Sequence, residues 1–271
     1  QKIKFNNSND NLLGCASWNC NVMCYSIELN KIISINKHNA PVMNLCWNNN
    51  NLYSCSCDKT IKMYNPTEIN SKSIIIGSHS KPIKELLYSK NHNYIISGGW
   101  DNKLKFWDPK YSSTNDTNNN NNRNPKCIGE IKLNERVYSM DLNNNLLSVG
   151  LASKKINIYD LRNPNKIFCE IITSLKHQIR CVSNFNDETG LGISSVEGRC
   201  YIAYINNNKN NYSFKCHQNN NKIYSVNSIK FNKKYNDIFI TGGSDGIINV
   251  WNKSKKILIK QYNNNDNLLP I

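Results

Sequence analysis

Short apolar runs rich in β-branched and aromatic residues recur along the chain, with polar turns between them. Runs of that length and make-up predict strands rather than helices. One stretch predicts strands at Ile83–Tyr88, Tyr94–Gly99, Lys103–Trp107 and Cys127–Ile131, with the turn Trp100-Asp101-Asn102 between the second and third. The stretch before it repeats the plan at Val42–Trp47, Leu52–Cys57, Ile61–Tyr64 and Ser73–Ile76. We call the four strands of a unit a, b, c and d. A polar b–c turn is followed six residues later by an aromatic at Asn19 and Tyr25, Asp58 and Tyr64, Asp101 and Trp107, Ser153 and Tyr159, Gly198 and Tyr204, and Asp245 and Trp251. The turns are 39, 43, 52, 45 and 47 residues apart. A period near forty-five is the mark of a repeat architecture of four-stranded units.

The spacing has a physical reason. An Asp in the b–c turn can accept hydrogen bonds from the turn backbone and from a His placed before strand a. His38 precedes Asp58, and His79 precedes Asp101, at similar separations. A strand b hydroxyl, Ser54 or Ser56 in one unit and Ser97 in the next, can join that His to the strand c aromatic. Such a buried polar network is tolerable only when every member is satisfied, and it then fixes the turn. His38, Asp58, His79, Ser97, Asp101, Trp107, Asp245 and Trp251 are therefore assigned to the repeat rather than to catalysis, and His217 is placed with them.

At 271 residues, with 20% charged and 39% hydrophobic residues, the chain has the make-up of one globular domain over 1–271. No apolar run reaches the roughly eighteen residues of a membrane span, and no secretory leader opens the chain. The stretch 111–125 is a low-complexity, Asn-rich surface loop; 206–211 and 218–222 are shorter loops of the same kind. The net charge of +15, from 34 Lys and Arg against 19 Asp and Glu, favours acidic partners, although solvated Lys on an Asn- and Lys-rich background accounts for it equally well. The 11 cysteines, an odd number, do not read as a disulfide framework. Cys15, Cys46, Cys127, Cys169, Cys181 and Cys200 fall within predicted strands, as small hydrophobes. Cys55 with Cys57 and Cys20 with Cys24 lack a second ligand pair at zinc spacing, so no metal is expected. No phosphate loop, nucleophile elbow or HExxH pair is present, and neither a cofactor nor a catalytic residue is expected.

Several stretches are more specific: Ser17-Trp18-Asn19-Cys20-Asn21-Val22, Ser56-Cys57-Asp58-Lys59-Thr60, Gly99-Trp100-Asp101-Asn102-Lys103, Leu175-Lys176-His177-Gln178-Ile179-Arg180-Cys181, Ser195-Val196-Glu197-Gly198-Arg199 and Phe214-Lys215-Cys216-His217. With the closing pairs Trp107-Asp108, Tyr159-Asp160, Tyr64-Asn65 and Trp251-Asn252 they resemble the all-β WD-repeat β-propeller. Within that class they are similar to the messenger-RNA export factors of the nuclear pore and to the sister family of mitotic checkpoint proteins. Arg136-Val137-Tyr138-Ser139 and Asp160-Leu161-Arg162-Asn163 look more like the checkpoint family, whereas the Ser-Cys-Asp-Lys-Thr and Leu-Lys-His-Gln runs look more like the export factors. Six repeats are visible. The first has an incomplete strand a, and the tail at Leu268-Leu269-Pro270-Ile271 resembles the start of another strand a, which suggests a seven-bladed ring whose last blade is missing or incomplete.

The resemblance implies a non-enzymatic scaffold, monomeric within a hetero-complex, in the nucleus, at the nuclear pore and also in the cytoplasm. Its partner would be an acidic segment of a nucleoporin or, on the checkpoint side, a checkpoint kinase or kinetochore peptide. Arg199 and Arg180 would pair with the partner's carboxylates, Trp18 and Trp100 would anchor it, and Lys215, shared with the family, is placed with them without an assigned role. The sequence leaves open an internal Arg199–Glu197 pair and core positions for both Trp. Exposed Lys with aromatics could also hold RNA without sequence preference.

Overall fold

The structure is a computed structural model that describes residues 2–67, 73–109, 127–219 and 222–263. The Asn-rich stretch 111–125 and the tail 268–271 lie outside the described residues. Six four-stranded antiparallel sheets follow one another along the chain, each a simple a-b-c-d meander. Among the described residues the helical content is one short 3-10 turn at Asn208–Asn210.

The first sheet is Lys2–Phe5, Leu12–Ala16, Asn21–Ser26 and Lys31–Lys37; its strand a is short but fully paired with strand b, where an incomplete strand had been expected. The second is Val42–Asn48, Asn51–Ser56, Thr60–Tyr64 and Ile74–Ser78, and the third Ile83–Ser89, Tyr94–Gly99, Lys103–Trp107 and Cys127–Lys132. The fourth is Val137–Asn143, Leu146–Leu151, Lys155–Asp160 and Ile167–Ile172, and the fifth Ile179–Asn184, Gly190–Ser195, Arg199–Tyr204 and Tyr212–Lys215. The sixth is Val226–Phe231, Ile238–Gly243, Ile247–Asn252 and Ile257–Asn263. The stretch 218–222, expected as a loop, instead opens a hairpin of Gln218–Asn219 with Lys222–Ile223. Strand composition and the repeated plan place these sheets in the WD-repeat β-propeller class.

Residue contacts gather into two compact units, 1–137 and 138–271. In the first, the core is made where neighbouring sheets stack: Leu12, Val22, Leu45 and Trp47 between the first and second, and Met43, Ile61, Ile83 and Trp107 between the second and third. The Trp47 indole also donates to Lys4 O at 3.0 Å. In the second, Ile156, Ile158, Leu191 and Ile193 join the fourth and fifth sheets, while Phe185, Cys200, Ile229 and Phe239 join the fifth and sixth. Strands a to c carry most of this burial. Strand d of the sixth sheet is exposed along its whole length. Cys46, Cys181 and Cys200 are buried, whereas Cys127, expected in the apolar interior, is exposed because its strand d lies at a sheet edge.

All six b–c turns share one backbone device. Cys20, Lys59, Asn102, Lys154, Gly198 and Gly246 have positive φ between 62° and 73°. The residue before each of them is the polar turn residue: Asn19, Asp58, Asp101, Ser153, Glu197 and Asp245. This corrects the fifth unit. Its acid position is held by Glu197 and not by Gly198, and its aromatic position by Ala203, which pairs with Leu191 as Tyr64 pairs with Leu52 and Trp107 with Ile95. Tyr204 lies one residue further on. Gly198 supplies the left-handed conformation, and a Cβ there would come within 2.6 Å of His217 O.

Candidate functional site

Three sheets contain a His–Asp–hydroxyl network, and in the third and sixth it extends to the strand c Trp. In the second, His38 Nδ1 is 2.8 Å from Asp58 Oδ2, and His38 Nε2 is 2.7 Å from Ser54 Oγ. Ser56 does not reach the His; it donates to Ala40 O and accepts from Asp58 N at 3.0 Å. In the third, His79 Nδ1 lies 2.9 Å from Asp101 Oδ1, and Ser97 Oγ is 2.7 Å from His79 Nε2 and accepts from Trp107 Nε1 at 2.8 Å. In the sixth, His217 Nδ1 lies 2.9 Å from Asp245, and Thr241 Oγ1 takes the place of Ser between His217 Nε2 at 2.9 Å and Trp251 Nε1 at 3.0 Å. A carboxylate only accepts, so each Nδ1 donates and each Nε2 accepts from the hydroxyl. Burial holds His79 below its ordinary 6.5. Burial alone would raise Asp58 and Asp101, but hydrogen bonds, those from His38 and His79 foremost, outweigh it and hold both carboxyls below their ordinary 3.8.

The fourth and fifth sheets lack the His. Four residues before strand a, where His38 and His79 stand, they carry the buried Leu133 and Leu175. Leu133 N donates to Asn102 O at 2.7 Å, as His79 N donates to Lys59 O at 2.9 Å. The backbone plan persists without the polar network. Glu197 still does part of the work of the turn Asp: its Oε1 accepts from Lys176 N at 3.0 Å, as Asp58 accepts from Asn39 N at 3.0 Å.

That altered fifth sheet brings three of the sequence-predicted residues together. Arg199 opens strand c and lies directly opposite Lys215 on strand d. Arg180 falls at the register shift between Ile179 and Cys181, on the strand a bulge facing the end of strand b. A bulge turns its extra residue out of the regular alternation. Arg180 and Lys215 are exposed and Arg199 is half-buried. Glu197 is engaged by Lys176 N, and among the described residues no carboxylate forms an ion pair with Arg180 or Arg199. One end of this sheet therefore presents cations without internal counter-charges. Trp18, 61% exposed in the first b–c turn, and Trp100, half-buried in the third, belong to the other compact unit.

A feature not anticipated from the sequence lies on the fifth and sixth sheets. Tyr212, Phe214, Phe239 and Trp251 line a small cleft with Lys256 at its edge. The Phe214 and Trp251 ring centroids are 4.8 Å apart, and Lys256 Nζ is 4.7 Å from the Tyr212 centroid. The Tyr212-Ser213-Phe214 alternation was the available signal, but its partner Trp251 is remote in sequence.

The family described as WD domain, G-beta repeat matches residues 29–65, 71–108 and 208–252. The chain is 32% identical to the mitotic checkpoint protein BUB3.1 of Arabidopsis thaliana, over 96% of this chain and 76% of that one. It is 31% identical to the protein Rae1 of Drosophila melanogaster, over 92% and 73%. It is 35% identical to an mRNA export factor of Xenopus tropicalis, over 92% and 69%.

Proposed function

The chain belongs to the WD-repeat family that contains the mRNA export factors and their sister mitotic checkpoint proteins, and on that premise we propose that it is a non-enzymatic scaffold in messenger-RNA export. Its fifth sheet binds an acidic segment of a nucleoporin, and its place is the nucleus and the nuclear pore, with a share in the cytoplasm. The observation that carries this reading is the row of Arg180, Arg199 and Lys215 with no carboxylate paired to either Arg among the described residues. A guanidinium fork meets a carboxylate through two parallel hydrogen bonds, so fixed Arg side chains suit an acidic peptide that orders on binding. Trp18 and Trp100 are proposed as apolar anchors for the same partner.

Arg199→Glu reverses the charge at the centre of the row. It is expected to weaken binding of an acidic nucleoporin segment by at least about tenfold, since charge-assisted hydrogen bonds contribute roughly 1.5–3 kcal/mol each. Isothermal titration against the segment is the measurement, and unchanged affinity refutes the site. The checkpoint reading is supported by the names of the relatives BUB3.1 and bub3, and it predicts kinetochore enrichment in mitosis in place of steady rim localisation. A second proposed ligand is single-stranded RNA, for which Lys256 at the edge of the Tyr212, Phe214 and Trp251 cluster offers a phosphate contact.

A further inference from the structure

Each of the three cations on the fifth sheet is followed directly by a cysteine: Arg180-Cys181, Arg199-Cys200 and Lys215-Cys216. Successive residues of a strand point to opposite faces. The Cys200 thiol and the Arg199 side chain therefore lie on opposite faces of strand c, and all three sulfurs fall in the buried cluster shared with the sixth sheet. Two of them meet. Cys216 Sγ lies 3.4 Å from Cys200 Sγ and 3.4 Å from Gly198 O, so its single thiol proton is shared between those two acceptors. A disulfide needs about 2.05 Å, so little more than an ångström of approach closes the pair. The third thiol, Cys181, is aimed instead at Val182 O, 3.7 Å from its sulfur.

We propose that Cys200 and Cys216 form an oxidation site that closes to an intrachain disulfide with a two-electron oxidant of the peroxide class. Cys216 retains 9% exposure and Cys200 none, so Cys216 reacts first. Its sulfur attacks one peroxide oxygen, the O–O bond breaks, and the departing oxygen leaves as water, which yields the sulfenic acid. The Cys200 sulfur then attacks the sulfenic sulfur. The S–O bond breaks, the oxygen departs as a second water carrying the Cys200 proton, and the S–S bond forms. One peroxide is reduced to two waters as two thiols are oxidised, and a small dithiol reverses the change. Burial pushes the Cys200 thiol well above its ordinary 9.0, so it keeps its proton until the sulfenic acid stands beside it.

The sequence makes the test direct. Trypsin cleaves after Arg180, Arg199 and Lys215, which puts Cys181, Cys200 and Cys216 at the heads of three separate peptides. The full chain is treated with hydrogen peroxide, unfolded, alkylated and digested without reductant. The expected product is a linked pair of the Cys200 and Cys216 peptides, lost on treatment with dithiothreitol. Cys181→Ser leaves the link intact, and Cys216→Ser abolishes it. Exposed Cys127 is the internal control for oxidant. If Cys127 is oxidised while Cys200 and Cys216 are recovered as alkylated thiols, the site is refuted. Sulfinic acid at Cys216, or a Cys181–Cys200 link, refutes it equally.

Discussion

Ser97 shows how much one hydroxyl holds. It donates to His79 Nε2 and accepts from Trp107 Nε1, and both distances are within 2.8 Å. Ser97→Ala leaves two buried nitrogens without partners, while the methyl fills little of the space. A buried group left unsatisfied costs about 1–3 kcal/mol, so the expected loss is about 2 kcal/mol or more in urea unfolding. Ser56→Ala, in the second sheet, removes the hydrogen bonds to Ala40 O and from Asp58 N but leaves His38 paired, and is expected to cost less, about 1 kcal/mol. Equal losses at the two positions would refute the network as the source of stability. Gly99 guards the same site from the other side. A Cβ there would lie 2.4 Å from Asp101 Oδ1 and 2.5 Å from His79 Nδ1. Any side chain must push the pair apart, so Gly99→Ala is expected to destabilise the protein as Ser97→Ala does, by strain in place of an orphaned partner.

The sheet is the scale at which the sequence was most legible and also where it misled. Strands a to c of the second and third sheets were readable because β-branched runs alternate with turns of fixed chemistry, and His, Asp, Ser and Trp recur in phase. The fifth sheet broke the phase. Tyr204 happens to fall six residues after Gly198, but the left-handed residue is Gly198 itself, so the acid is Glu197 and the aromatic position holds Ala203. Only backbone torsion and strand register could reveal that shift of one. The networks of the second and third sheets also carry a pH response. His79 lies below its ordinary 6.5 when folded, so below that pH the unfolded chain gains a proton that the folded one refuses, and stability falls. Asp58 and Asp101 lie below their ordinary 3.8, so their contribution is full above that value and is lost as pH falls from there through their lower folded values. Unfolding free energy is thus expected to decline in two waves, one below about pH 6.5 and one below about pH 4. His79→Gln should remove part of the first wave, and a profile identical to wild type would refute the assignment.

For the whole molecule the net charge of +15 was plain in the sequence, but its use was not. Most of that charge is spread over solvated faces, and some of it has internal work: Lys103 pairs with Glu130 at 2.6 Å, and Lys62 donates to Lys37 O at 2.9 Å. What the structure adds is the difference between cations that are occupied and cations that are not. Arg180, Arg199 and Lys215 were legible as candidates because of the motifs around them, whereas the cleft of Tyr212, Phe214 and Trp251 required the sixth sheet to be stacked on the fifth. The two proposed ligands therefore separate by salt and by mutation. An RNA strand contacts the protein through its phosphates, so its affinity should fall with a log–log salt slope of about −0.7 for each phosphate neutralised. Lys256→Glu should weaken an oligouridine probe, make the slope shallower by roughly that amount, and leave the acidic peptide unaffected. Arg199→Glu should do the reverse, abolishing most peptide binding while the RNA slope changes little. If both variants weaken both ligands in proportion, the surface acts as one diffuse positive field, and neither the row of cations on the fifth sheet nor the aromatic cleft is a distinct site.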